Sequence, residues 1–308
     1  RGSAGSYLVL AELQVMRGEM ELAAEAARAA VALRSDPLSR RVLALTLMGD
    51  GGDAEAAAEH YLGALADAPG DTAMLSAYEA DILPIVQPGE LDEWRRLHDD
   101  ERATWLRSFW ERRAANAVLP VTERISEHFE RLRTAHNRFQ RNQDYGGRPG
   151  EALLLEPVEG LAFDDRGMVY VRYGEPDTTI SSPANMDGVP PSNETWVYFR
   201  PGEKPLSFNF FKVANSTDWV IAEPPRCYPV LFVTGQPGAQ EPQELRNKHI
   251  TVEDFARWYE DRAFIDTRNL SVVTQCRAIT QNLALGGGSA SGDLVGDMAA
   301  VRARQLEI

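Results

Sequence analysis

Asp164, Asp165 and Arg166 sit side by side ahead of Gly167, and Asp177 closes the next segment in Gly174-Glu175-Pro176-Asp177. Carboxylates gathered in this way can hold a hard cation through oxygen. Asp in a turn more commonly accepts from its own backbone two residues on. Arg166 and Arg172 can grip a carboxylate or phosphate with paired hydrogen bonds, or pair with nearby acids. Tyr170, Tyr173, Trp196 and Tyr198 make an aromatic binding strip if they share an exposed face, and a sheet core if they do not. Arg131, four residues after Glu127, is either a docking point for an acidic partner or half of a solvated helix pair. The candidate binding residues are therefore Asp164, Asp165, Arg166, Tyr170, Arg172, Trp196, Tyr198 and Arg131. None receives a catalytic role.

The sequence contains no Gly-rich phosphate loop, His-Glu-x-x-His, Cys-x-x-Cys or Gly-x-Ser-x-Gly. No cofactor or metal is expected. His128 and His136 lie more than two helical turns apart and cannot share a metal unaided.

The elements that must position these residues follow from periodicity. In Met168 to Tyr173, valines and Tyr173 alternate with Met168, Tyr170 and Arg172, which predicts a strand between two turns. Further strands are predicted over 152–155, 195–199, 206–213, 219–222 and 230–233. Residues 178–193, with Pro183, Pro190 and Pro191, read as a projecting polar loop. Thr251 opens a predicted helix burying Phe255, Trp258 and Tyr259. Another helical stretch follows over 272–285, and a Gly/Ser loop over 286–292 precedes a short last helix.

The first third of the chain repeats. Gly18-Glu19 and Gly52-Asp53 lie 34 residues apart, and Ala23/Ala57, Ala27/Tyr61 and Ala30/Ala64 keep that register. This length and pattern predict helix–turn–helix units of the tetratricopeptide type. From Leu91 a helix is expected to carry Trp94, Leu97, Trp105, Leu106, Phe109 and Trp110, whose rings predict a packing seam against the next domain. After a turn at 116–120, Thr122 is expected to cap a helix burying Ile125, Phe129, Leu132, Ala135 and Phe139. Its other face carries Glu123, Arg124, Glu127, Arg131, Arg133 and Arg138. Residues 91–148 hold twelve Arg against ten acidic side chains, a slightly basic neck.

The chain has 308 residues, is 44% hydrophobic and carries a formal net charge of −14, enough for two domains and unsuited to nucleic acid or anionic lipid. No apolar run approaches the roughly 20 residues that span a bilayer. Cys227 and Cys276 are too few for a disulfide scaffold, and either one bridge or two free thiols fits them.

Phe109-Trp110-Glu-Arg-Arg113, Pro120-Val-Thr122, Arg131-Leu-Arg-Thr-Ala135-His-Asn-Arg-Phe139, Asp165-Arg166-Gly167 through Tyr173-Gly174-Glu-Pro176-Asp177, and Glu194-Thr-Trp196-Val-Tyr198 resemble, in order and spacing, the GWxTD domain family. The resemblance covers roughly 105–280. It departs at the eponymous motif, where Leu161 follows Gly160 and Phe163-Asp164 stands in place of Thr-Asp, and at Ala114-Ala115, where Asp-Pro is usual. The family is bacterial and often exported, so the resemblance implies an envelope, periplasmic or exported setting. It implies no activity, and it implies a longer protein continuing beyond this chain.

Together these readings predict an α+β protein. Tetratricopeptide-like helical hairpins occupy 1–90, a Trp- and Arg-rich helical neck 91–145, and a GWxTD-like domain with a mainly antiparallel sheet and flanking helices 146–308. The expected function is a non-catalytic interaction or assembly scaffold that docks protein partners through its repeats. The alternative is an enzyme or a small-ligand or carbohydrate module built on 160–199.

Overall fold

A computed structural model describes residues 2–48, 52–141, 163–182, 192–212, 217–221, 259–260, 262, 269–270, 272–274 and 277. The chain divides into two compact units, Arg1–Phe163 and Asp164–Ile308. No described helix is long and apolar enough to cross a membrane.

The first unit is helical: α1 (Ala4–Met16), α2 (Met20–Leu33), α3 (Pro37–Leu47), α4 (Ala54–Ala66), α5 (Thr72–Ile82), α6 (Pro88–Arg96), α7 (Arg102–Ala117) and α8 (Val121–Arg138). Short polar side chains start most of the early helices. Ser3, Asp36, Asp53 and Asp71 each accept from backbone N–H groups of the first turn, which would otherwise lack a partner. Helices α1 and α2 pack together, as do α3 and α4, and α3 also lies on α2. Ala23, Ala27, Ala30, Ala57, Tyr61 and Ala64, the positions singled out by spacing, are all fully buried.

The neck differs from the sequence reading in detail. Residues 87–89 start a helix, because Pro88 suits a first turn and Gln87 with Glu90 forms a capping box. The helix expected through 110 breaks at Leu97, and the Glu101 carboxylate accepts from the His98 N–H at 2.9 Å in the break. Helix α7 runs on to Ala117 and ends at Val118, in the left-handed region at φ 58°. Pro120, not Thr122, stands at the cap position of α8, since its fixed φ already suits the helix start.

The aromatic seam also faces another way than expected. Trp94, Trp105, Phe109, Trp110, His128, Phe129, Tyr61 and Tyr78 form a continuous run with successive ring centroids 4.7 to 5.4 Å apart. These rings join α4 and α5 to the neck inside one unit, where α4 packs against both α7 and α8. Arg124, expected on the polar face of its helix, is buried, and so is His128.

Beneath the rings lies a buried ion pair. Arg41 of α3 donates to both carboxylate oxygens of Asp81 of α5 at 2.9 Å. The Tyr61 hydroxyl donates to Asp81 Oδ2 at 3.2 Å, and the His128 Nε2–H donates to the Asp81 carbonyl at 2.8 Å. Four helices thus converge on one residue. Burial drives the pKa of His128 down to about 3 and that of His136 down to about 4.

The second unit begins with α9 (Asp165–Tyr173), followed by β1 (Thr178–Ser182), β2 (Asn193–Tyr198), β3 (Leu206–Lys212) and β4 (Trp219–Ile221). The strands form an antiparallel meander in the order β1-β2-β3-β4, with Thr195 opposite Asn209 and Trp196 opposite Phe208. Two corrections follow. The predicted strand over 168–173 is helical, because the Asp164 carboxylate accepts from the Arg166 and Gly167 N–H groups and so caps a first turn, while Gly174 at φ 81° ends the helix. The loop expected over 178–193 opens as strand β1, whose threonines and Ile180 suit a pleated sheet. The strands predicted over 152–155 and 230–233, both cysteines, and most of the helix expected from Thr251 lie outside the described residues.

The buried pair gives a direct test. Arg41→Met should destabilise the protein by about 3–5 kcal/mol in urea unfolding, since Asp81 stays buried without its cation. Arg41→Met with Asp81→Leu should recover most of that loss. His128 supplies another. Below pH ~6.5 the unfolded chain protonates this imidazole and the folded chain does not, so folding stability falls on acidification by about 1.4 kcal/mol per pH unit for this group. His128→Gln should flatten the fall between pH 6.5 and 5 by about one proton; an unchanged slope would mean that His128 is not held neutral.

Candidate functional site

Helix α9 exists because of Asp164, and Asp164 is also what joins the helix to the sheet. Its buried Oδ1 accepts from the Arg166 backbone N–H at 2.9 Å, and Oδ2 accepts from the Arg166 guanidinium at 2.9 Å and the Trp219 N–H at 3.2 Å. Burial pushes this carboxyl above its ordinary range, against the pull of Arg166 and the backbone donors. Asp165 accepts from the Ile221 N–H at 2.8 Å. Neighbouring aspartates at the start of α9 therefore satisfy the edge of β4, which is a structural use of groups that also suited a cation.

Arg166 bridges further. Its guanidinium carbon lies 4.4 Å from the Trp219 ring centroid, and Nη1 approaches the Glu194 carboxylate at 3.7 Å. Glu194 Oε2 also accepts from the Trp196 indole N–H at 3.1 Å. The structure thus brings together Asp164, Asp165, Arg166 and Trp196, and adds Glu194 and Trp219. Asp177 accepts from the Phe199 N–H at 2.7 Å rather than joining this group. Among the described residues no group of three His, Cys, Asp or Glu side chains is placed to hold a metal.

Trp196 and Tyr198 are buried, with Trp196 5.0 Å from Phe210 and the Tyr198 hydroxyl donating to the Gly174 carbonyl at 3.0 Å. Tyr173 packs at a tilt against Tyr198 and Phe208, with ring centroids 5.5 and 5.1 Å away. These aromatics form the core between α9 and the sheet. Tyr170 and Arg172, both on α9, are half-buried. Arg131 belongs to the helical unit, where it pairs with Glu127 as its spacing predicts.

The other face of the sheet holds a buried polar layer. Thr195 Oγ1 donates to Asn209 Oδ1 at 2.8 Å and accepts from Arg262 Nε at 2.9 Å. Arg262 also donates to Asn193 Oδ1 at 2.8 Å, and the Asn269 amide donates to the Arg262 carbonyl at 3.1 Å. Sequence reasoning passed over these residues. The signal was legible in part, because Asn193 and Thr195 on one strand, and Ser207 and Asn209 on the next, place polar side chains on a single face at period two.

No family model, curated protein or solved structure matches this chain.

If Asp164 is the joint between α9 and the sheet, Asp164→Ala should cost about 3 kcal/mol in urea unfolding, because it removes a helix cap and leaves Arg166 without its buried carboxylate. Asp177→Ala, which removes one exposed hydrogen bond, should cost about 1 kcal/mol. Unchanged stability in Asp164→Ala would return that carboxylate to the list of ligand groups.

Proposed function

We propose that this protein is a non-catalytic assembly scaffold, with helical repeats that dock a protein partner. The observation that carries this reading is on α1. Its exposed positions are Gly5, Ser6, Val9, Leu10, Leu13 and Met16, with no charged residue among them, and Val9, Leu10, Leu13 and Met16 are 52, 42, 48 and 49% exposed. A solvated helix face on a chain of net charge −14 would ordinarily carry charge.

The 34-residue register gives this face a meaning. Moving Gly5, Val9, Leu10 and Leu13 forward by one repeat gives Ser39, Leu43, Ala44 and Leu47 of α3, all buried. Helix α3 packs against both α1 and α2. In a repeat stack each unit buries such a face against its neighbour. On α1 the equivalent face is apolar and exposed, which is the property of a docking surface. The alternative of a ligand or carbohydrate module on 160–199 has less support, since Asp164, Asp165, Arg166, Trp196 and Tyr198 are engaged with one another or with the backbone. The GWxTD resemblance supports a bacterial setting in the envelope or beyond it.

The test is a pull-down with the intact chain beside Leu10→Glu and Leu13→Glu, both exposed positions where a charge leaves the core untouched. The scaffold reading expects bound protein, whether a different chain or further copies of this one, to be lost from both variants. The same bound set in all three would overturn it.

A further inference from the structure

We propose that the polar face of β2 and β3 is a binding site for an alkylguanidinium group, an arginine side chain foremost. Its resident occupant is Arg262 of the same chain. The site is built from side chains that are themselves buried, since Asn193, Thr195, Asn209 and Arg262 are 0, 1, 2 and 3% exposed. Asn193 and Thr195 lie two residues apart on β2 and so share a face, and Thr195 stands opposite Asn209 of β3. Arg262 Nε donates to Thr195 Oγ1 at 2.9 Å, and Nη2 donates to Asn193 Oδ1 at 2.8 Å. The Thr195 hydroxyl donates its own proton to Asn209 Oδ1 at 2.8 Å, which turns its lone pairs toward the guanidinium. The Asn269 amide donates to the Arg262 carbonyl at 3.1 Å and steadies the backbone that carries the cation.

Two properties separate this cradle from the Arg41–Asp81 pair. Asp81 is a carboxylate, so loss of Arg41 strands a buried charge. The side-chain oxygens of Asn193 and Thr195 are neutral, and the bond from Thr195 to Asn209 needs no help from Arg262. The acceptors therefore keep their places when the guanidinium is withdrawn, as a pre-formed site requires. They also select. A guanidinium presents adjacent N–H groups side by side in one plane and is weakly hydrated. The N–H groups of an ammonium diverge, and it gives up its water reluctantly. These neutral oxygens bring no charge to offset that loss of hydration, so the face takes the planar cation and rejects the compact one.

Arg262→Ala keeps the Cβ and removes what N-ethylguanidinium can supply. The variant should melt below the wild type, and N-ethylguanidinium should raise its Tm with the logarithm of concentration up to ~50 mM. A ligand of so few atoms is expected to bind at roughly 1–10 mM. The wild type, whose site is filled, should gain nothing from the same series. Propylammonium, which completes a lysine side chain in the same way, should leave the variant unchanged. Arg262→Lys should melt with Arg262→Ala rather than with the wild type. Adding Thr195→Val to Arg262→Ala should abolish the response to N-ethylguanidinium. Equal rescue by propylammonium, no rescue by either cation, or rescue that survives Thr195→Val overturns the inference. So does an Arg262→Lys protein as stable as the wild type, a comparison that decides the matter even where Arg262→Ala fails to fold.

Discussion

A guanidinium and a carboxylate taken out of water cost several kcal/mol each unless geometry and further hydrogen bonds compensate them. Arg41 and Asp81 meet both conditions, with Arg41 Nη2 donating to both carboxylate oxygens at 2.9 Å, the Tyr61 hydroxyl on the same carboxylate and His128 on the same residue's carbonyl. Each of these four residues comes from a different helix, so α3, α4, α5 and α8 can satisfy the buried charges in only one relative arrangement. The aromatic run from Trp94 to Tyr78 supplies the apolar area that holds the unit together, but apolar contact tolerates sliding and a buried, directional ion pair does not. The pair thus sets the register of the helices, and the rings follow. Tyr61 is where the two meet, since its ring lies 4.7 Å from Tyr78 and 5.2 Å from Phe129 while its hydroxyl reaches Asp81.

The second unit applies the same constraint with backbone groups. An edge strand has N–H groups that must find acceptors. On β4, Trp219 and Ile221 find them in Asp164 and Asp165, at the start of α9. Asp164 serves twice, once for the first turn of the helix and once for the sheet edge. This explains why a cluster that looked like a ligand site in the sequence is consumed by the fold.

How much of this was legible depended on the length of the pattern. The 34-residue spacing singled out six positions that prove to be buried, because a register that long constrains many residues at once. Helix α8 was legible for a similar reason, as five apolar positions recurred along its length. Its buried members His128 and Arg124 were not, since only the partners on α5 and the rings around them make burial of a polar side chain tolerable, and those partners are distant in sequence. Over Asp165–Tyr173 the pattern was too short. Nine residues are two and a half helical turns, and Val169, Val171 and Tyr173 satisfy a strand period as readily as a helix face. Asp164 decided the matter, and the same Asp-Asp-Arg-Gly string serves a turn or a cap according to what donates to its carboxylates. The polar layer around Thr195 stayed hidden because its cation, Arg262, arrives from 67 residues away.

Helix α1 is the exception to the economy seen elsewhere. It contributes only Leu8 and Ala11 to the buried core, fewer than any of α2 to α5, while leaving four large apolar side chains in water. Burial is worth about 25 cal/mol per Å² of apolar surface, so covering that face would stabilise α1 further. A partner that covered this face would add to the stability of α1, and that contribution would grow with the concentration of the covering partner.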